Sequence, residues 1–180
     1  YKETEAVLRQ CHESVLNQTY ECDHFLVADG FPVSYFDKSP RTLHTILPKA
    51  NGDNGNTPRG VGSLLAQAYG YDAIAYLDAD NWYQPDHIEK LVAAHIKSGA
   101  AVLSCRRTFH DLDGTDLRIQ EPDEDQRLHV DTSCLLLFRP AFSTLRAWFM
   151  PAALGPICDR VFVAKILNDK FKIVSINNRS

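Results

Sequence analysis

Residues 73–85 read Ala-Ile-Ala-Tyr-Leu-Asp-Ala-Asp-Asn-Trp-Tyr-Gln-Pro. The first five residues of this stretch form a short apolar run, which is typical of a buried strand. The run ends at Asp78, and Asp80 follows two positions later. Side chains two positions apart share one face of a strand, so the two carboxylates can converge on a divalent cation. The alternative, that Asp80 or Asn81 only caps the next helix, stays open at this point.

Segments with helical and strand patterns alternate on both sides of this stretch. Apolar residues spaced by three and four predict helices, and short apolar runs predict strands. The alternation favours an α/β fold with a mixed, mostly parallel sheet and helices on both faces. In such sheets ligands bind at the carboxyl ends of strands, where Asp29-Gly30 forms a second acidic turn. The predicted helices are 5–17, 59–69, 85–99 and 157–167, and the other predicted strands are 25–28, 43–47, 101–105, 130–138 and 173–176.

The composition fits one folded domain of 180 residues, with 44% apolar and 23% charged residues. The net charge of −4 and the lack of a basic block argue against a nucleic-acid partner. No apolar run approaches the ~20 residues that cross a bilayer, so we expect no transmembrane segment. We expect a cytoplasmic location, with peripheral contact to the inner face of a membrane as an option. The five cysteines form no CxxC pair, which favours reduced, structural thiols.

Two further Asp-x-Asp patterns occur, at residues 111–113 and 123–125. The first precedes a glycine and predicts a turn between hairpin strands, and the second predicts a solvated acidic loop. His110 and His129 flank this acidic region, and either could reach a site nearby. Structural roles are the favoured interpretation of both histidines.

Four stretches in the first hundred residues resemble, in order and spacing, the motifs of glycosyltransferase family 2, whose members have the GT-A fold. Residues 13–20 are similar to the pattern "SVL-x-QTY", and residues 25–30 to the strand and turn "hhVDDGS". Residues 57–60 stand where "ARN-x-G" is expected, and residues 75–85 are close to "hhFLDADD-xW-xP". In the second half, residues 157–160 take the place of the Glu-Asp motif that supplies the family's catalytic base.

The resemblance implies a role for each matching residue. Asp29 would read the nucleotide base, and Arg59 would steady the diphosphate or pair with an acidic site residue. Asp80 would bind the metal, with Asp78 as its partner near the ribose or sugar, and Asp159 would be the general base. The implied reaction is a metal-dependent, inverting transfer of a sugar, in the manner of a hexosyltransferase, from a nucleoside-diphosphate sugar to a hydroxyl. The cofactor would be Mn²⁺ or Mg²⁺, and the acceptor a saccharide, lipid or protein.

The implied organisation is a single GT-A domain over residues 1–180. Residues 1–100 would form the nucleotide-sugar-binding half, and residues 101–180 the half that holds the acceptor and the catalytic base. The family's first strand, with its nucleotide contact, is missing or survives only as Tyr1.

The chain departs from the family pattern at three places. Ala28 replaces the first Asp of the DDGS turn, residues 31–32 replace its Ser, and Cys158 replaces the Glu before the expected base. Two alternatives stay open, the first because of these departures and the second because another enzyme class has a similar fold. One is a non-catalytic GT-A-like domain that binds sugar nucleotides, and the other is a sugar-1-phosphate nucleotidyltransferase.

Overall fold

A computed structural model describes residues 3–111, 114–119 and 129–179, so the expected acidic loop at 123–125 lies outside the described residues. Helices and strands alternate through the described part, as the apolar patterns predict. The α-helices are α1 (Glu5–Leu16), α2 (Asn56–Ala68), α3 (His87–Ser98) and α4 (Cys158–Asn168). The strands are β1 (His24–Asp29), β2 (Thr42–Leu47), β3 (Ala73–Ala75), β4 (Val102–Arg106), β5 (Leu135–Phe138) and β6 (Ile173–Arg179). Short 3₁₀ helices span Ser34–Lys38, Thr132–Cys134, Arg139–Phe149 and Ala152–Ile157.

The strands of the described residues form two sheets. In the first sheet β1 pairs in parallel with β2, and His24 lies opposite Thr42. The second sheet has the order β3-β5-β4-β6. Here β6 is parallel to β4, whereas β5 runs antiparallel to both of its neighbours. The expected mixed α/β architecture is therefore confirmed, with β5 as its antiparallel strand.

The core lies where β4 and β5 meet the helices. Both strands are nearly continuous apolar runs with buried side chains, because both of their faces are covered. Trp148 is fully buried and stacks on Phe162 of α4, with ring centroids 4.0 Å apart. Each such side chain contributes about 2 to 3 kcal/mol through burial of its apolar surface. Gly60 of α2 leaves room for Phe149, because a Cβ there would lie 2.7 Å from the Phe149 ring.

The secondary structure of residues 73–81 differs from its prediction. β3 ends at Ala75 rather than at residue 77, and residues 78–81 form a turn. The turn is closed by the Asn81 amide, which donates to the Asp78 carbonyl at 2.9 Å. Asp78 and Asp80 are therefore residues of a turn, and the alternation of side chains along a strand does not apply to them.

Four other boundaries differ from their predictions by more than one residue. α2 begins at residue 56 rather than 59, and β6 ends at residue 179 rather than 176. α3 begins at His87 rather than at Pro85, because the His87 amide first closes a turn on the carbonyl of Gln84 at 3.1 Å. The strand expected over 130–138 is paired only from residue 135 onward. Asp131 accepts a hydrogen bond from the Ser133 amide at 2.9 Å and starts a 3₁₀ turn in place of the first half of that strand.

Gly30, which ends the turn after β1, gives the first testable prediction. Its φ is +83°, and a Cβ there would lie 2.5 Å from the Ala50 amide nitrogen. We expect Gly30→Ala to lower the free energy of unfolding by roughly 3 kcal/mol, because left-handed strain and a backbone clash add. Gly99 is the matched control, since its φ is +68° but a Cβ there would meet nothing within 4 Å. Gly99→Ala should cost only about 1 kcal/mol in urea unfolding, and equal losses for the two variants would contradict the role of the clash.

None of the helices in the described part of the chain is both long enough and apolar enough to cross a membrane.

Candidate functional site

A cavity of about 820 Å³ runs along β1 and β3 and reaches the residues that follow both strands. Most of the charged residues in its lining are acidic. Among the described residues that line it, Arg59 is the one arginine or lysine. All five residues to which the family motifs assign roles, namely Asp29, Arg59, Asp78, Asp80 and Asp159, line this cavity. The other carboxylates of the lining are those of Glu3, Glu21, Asp23, Asp72 and Asp131.

Arg59 and Asp78 form an ion pair at the wall of the cavity. The Arg59 Nη2 donates to Asp78 Oδ1, and Nη1 donates to the Asn54 carbonyl at 2.8 Å. The Arg59 side chain is 14% exposed and that of Asp78 is 34% exposed. Burial lowers the pKa of Arg59, but the charge and hydrogen bond of Asp78 outweigh this effect and the net pKa is raised. Burial also raises the pKa of Asp78, against the opposing influence of Arg59. The sequence leaves two tasks open for Arg59, and in this structure it pairs with an acidic residue.

The acidic turn is held from the side by Ser133. Its hydroxyl accepts hydrogen bonds from the Asp78 amide and from Asn81 Nδ2, each at 3.3 Å. On the opposite side the Cys11 thiol donates to the Asp78 carbonyl at 3.6 Å. The backbone at Asp78 is thus fixed by two elements that are distant in sequence, which orients the turn toward the cavity.

Asp80 is exposed, whereas one oxygen of Asp78 is engaged by Arg59. Among residues 3–111, 114–119 and 129–179, no group of three or more His, Cys, Asp or Glu side chains could hold a metal ion. Mg²⁺ and Mn²⁺ nevertheless take few carboxylates from a protein and complete their shells with phosphate and water. Two hard oxygen donors on an acidic cavity have the chemistry that such an ion requires.

Asp29, the last residue of β1, has a local partner. Its carboxylate accepts hydrogen bonds from the Asn51 amide at 3.0 and 3.1 Å and from Asn51 Nδ2 at 2.6 Å. The loop after β2 therefore orients this carboxylate. A carboxylate has about four lone-pair positions, so Asp29 keeps capacity for a ring N–H of a base.

Asp159 lies in the first turn of α4. Its Oδ2 is hydrogen-bonded to His129 Nε2, and its Oδ1 accepts from the Arg160 amide at 2.7 Å. The carboxylate is on the cavity wall. A negative charge is also favourable at this position because the amides of a first helical turn carry partial positive charge.

The structure adds two residues to the site, of which the sequence leaves only His129 open as a candidate. The apolar pattern places Asp131 only at the beginning of a strand, but this residue lines the cavity and accepts a hydrogen bond from Arg107 Nη1 at 2.8 Å. The sequence favours a structural role for His129, but this residue contacts Asp159. Neither residue lies in a recognisable motif. The signal that could have indicated both is an acidic and an imidazole side chain directly before an apolar strand.

Comparisons with known proteins identify the family and the fold of this chain. The sequence profile of the family described as Glycosyl transferase family 2 matches residues 1–154. No curated protein matches the chain. The fold is similar to that of S. aureus TarS residues 1–349 in complex with UDP, at 12% identity and a TM-score of 0.71, covering 98% of this chain and 55% of that one.

Two other solved structures are also similar. The S. aureus TarS structure matches at 11% identity and a TM-score of 0.71, over 98% of this chain and 34% of that one. CMP:2-keto-3-deoxy-manno-octonic acid synthetase complexed with CTP matches at 10% identity and a TM-score of 0.59, over 97% of this chain and 79% of that one. At such identities the likeness concerns the fold alone. The chain spans about half the length of the TarS 1–349 chain.

Proposed function

Because the chain belongs to glycosyl transferase family 2, we propose that it transfers a sugar from a nucleoside-diphosphate sugar to an acceptor hydroxyl, with inversion at the anomeric carbon. The observation that carries this proposal is that all five residues matching the family's functional positions line one cavity. They come from four separate segments of the chain. The sugar of the donor would be a hexose or a related unit.

The charge of the cavity supports the dependence on a divalent cation. A nucleoside diphosphate is itself anionic, and Arg59, the one lysine or arginine of the described lining, is paired with Asp78. Without a cation, the diphosphate would face uncompensated carboxylates at close range. We propose that Asp80 and Asp78 hold Mn²⁺ or Mg²⁺. The ion would act as a Lewis acid on the leaving diphosphate.

The residues of this chain then have distinct tasks. Asp29 accepts a hydrogen bond from the nucleotide base, and Asn51 keeps its carboxylate in place. Arg59 orients Asp78. The acceptor oxygen attacks the anomeric carbon while the bond from that carbon to the diphosphate breaks, and Asp159 takes the proton of the acceptor hydroxyl. No covalent sugar–enzyme intermediate is needed for this in-line displacement.

A thermal-shift experiment tests the binding step. We expect UDP or another nucleoside diphosphate with Mn²⁺ to raise the Tm by roughly 5 to 10 °C at a hundredfold excess over Kd, because a ligand that binds only the folded state stabilises it by about 2.7 kcal/mol. The nucleotide without Mn²⁺ should give a much smaller shift. Equal shifts with and without the ion would contradict metal dependence, and no shift with any nucleoside diphosphate would contradict the donor class.

A product assay separates the remaining alternatives. The fold is also similar to that of a synthetase complexed with CTP, which keeps nucleotidyl transfer as a second candidate. Release of inorganic pyrophosphate from a nucleoside triphosphate and a sugar phosphate would favour that candidate. Tight nucleotide binding without hydrolysis or transfer to any acceptor would favour a non-catalytic domain.

A further inference from the structure

His129 contacts Asp159 through a hydrogen bond between Nε2 and Oδ2. Asp159 lines the cavity, whereas His129 does not belong to its described lining. The His129 side chain is 15% exposed and that of Asp159 is 25% exposed. His129 therefore contacts a residue of the cavity wall without belonging to the described lining itself.

The chemistry of the contact determines which atom donates. An ionised carboxylate can only accept hydrogen bonds, so His129 Nε2 must carry the hydrogen that joins it to Asp159 Oδ2. The second oxygen, Oδ1, accepts from the Arg160 amide at 2.7 Å. Both carboxylate oxygens of Asp159 thus accept a hydrogen bond from the protein, and each keeps a lone pair for another donor.

The segment that carries His129 is itself anchored. Val130 is 1% exposed, and Asp131 binds both Arg107 Nη1 at 2.8 Å and the Ser133 amide at 2.9 Å. The imidazole is therefore presented from a fixed backbone. A charge-assisted hydrogen bond from a fixed donor restricts the rotation of the carboxylate more than a bond from a mobile side chain would.

We propose that His129 is a positioning residue for the general base Asp159, an inference that rests on the proposed transferase function. When the acceptor oxygen bonds to the anomeric carbon, its proton passes to the Asp159 carboxylate and the nucleoside diphosphate leaves with the electron pair of the broken bond. The Nε2 hydrogen stays on His129 throughout. Its task is to keep the carboxylate aimed at the acceptor hydroxyl.

The test compares a side chain that can donate a hydrogen bond with one that cannot. We expect His129→Leu to lower kcat by about 10- to 100-fold, because small misplacements of a catalytic group carry costs of this size. The KM for the donor should change by less than about twofold, since His129 is not among the described residues that line the cavity. His129→Gln, whose amide N–H can donate to the carboxylate, should recover most of the lost kcat. The assay is release of nucleoside diphosphate from UDP-glucose, UDP-N-acetylglucosamine and GDP-mannose with Mn²⁺, with water as the acceptor.

His95→Leu is the matched control, because the His95 ring is hydrogen-bonded to the Ala100 carbonyl at 2.8 Å and stacks on Phe138, and His95 is outside the described cavity lining. It should keep kcat within about twofold. Calorimetric binding of UDP with Mn²⁺ shows which variants retain the folded cavity. Should His129→Leu fail to fold, His129→Phe, which keeps a ring without an N–H, takes its place.

The outcomes separate this inference from the proposed function. If the parent protein releases nucleoside diphosphate and His129→Leu does so equally fast, the positioning role is refuted while the transferase function stands. Equal losses in the Leu and Gln variants would also refute it, because packing alone would then explain them. Absence of release by the parent protein from all three donors would overturn the proposed function and this inference together.

Discussion

Replacing Asp159 by Asn is expected to lower kcat by about 10²- to 10⁴-fold, the range that general base catalysis contributes. The amide is close in size to the carboxylate but cannot take the acceptor's proton. The substituted side chain would still lie in the first turn of α4 and could still contact His129, so the cavity should keep its shape. Binding of UDP with Mn²⁺, measured by calorimetry, should therefore change by less than about threefold.

A control on the same helix makes this result specific. Asp169 follows α4 at its other end and pairs with Lys165 at 2.6 Å. Asp169→Asn should alter stability by no more than about 0.5 kcal/mol, as expected of a surface ion pair, and should leave kcat unchanged. Full activity of Asp159→Asn would show that another group takes the proton. Loss of UDP binding together with activity would show that Asp159 supports the cavity instead of the chemistry.

Asp80→Asn is expected to lower kcat/KM by at least about 100-fold, because several kcal/mol of charge stabilisation in the transition state would depend on the metal. The same change should remove the difference in UDP affinity between solutions with and without Mn²⁺. Substitution of Asp80 tests metal binding more specifically than substitution of Asp78. Asp78 is paired with Arg59, so its substitution would also leave a guanidinium that is only 14% exposed without its partner.

Asp86→Asn provides the comparison for Asp80. Asp86 precedes α3, pairs with Lys90 at 2.6 Å and does not belong to the described cavity lining. It should keep both the activity and the response of UDP binding to Mn²⁺. A Mn²⁺ response that survives in Asp80→Asn would contradict the assignment of Asp80 as a metal-binding residue.

Local sequence is sufficient to predict most of the helices and strands. The 3.6-residue spacing of apolar residues predicts both ends of α1 and the last turn of α2 to within one residue, and the short apolar runs predict β1, β2 and β4 equally well. Boundaries that depend on competing turns are predicted less well. The Asp131 side chain begins a 3₁₀ turn where an uninterrupted apolar pattern indicates a strand. The apolar pattern also carries no information on strand direction, so it does not specify the antiparallel placement of β5.

The family motifs in the sequence indicate five of the candidate site residues, whereas the tertiary structure determines their partners. Motif order alone indicates Asp29, Asp80 and Asp159, because each stands at a set place in a stretch that resembles a family motif. The pairing of Arg59 with Asp78 and of His129 with Asp159 joins residues that are 19 and 30 positions apart. Such contacts depend on how whole elements pack against one another. A local pattern reflects the period of its own helix or strand. Which residue a side chain contacts depends on how the helices and strands pack against one another.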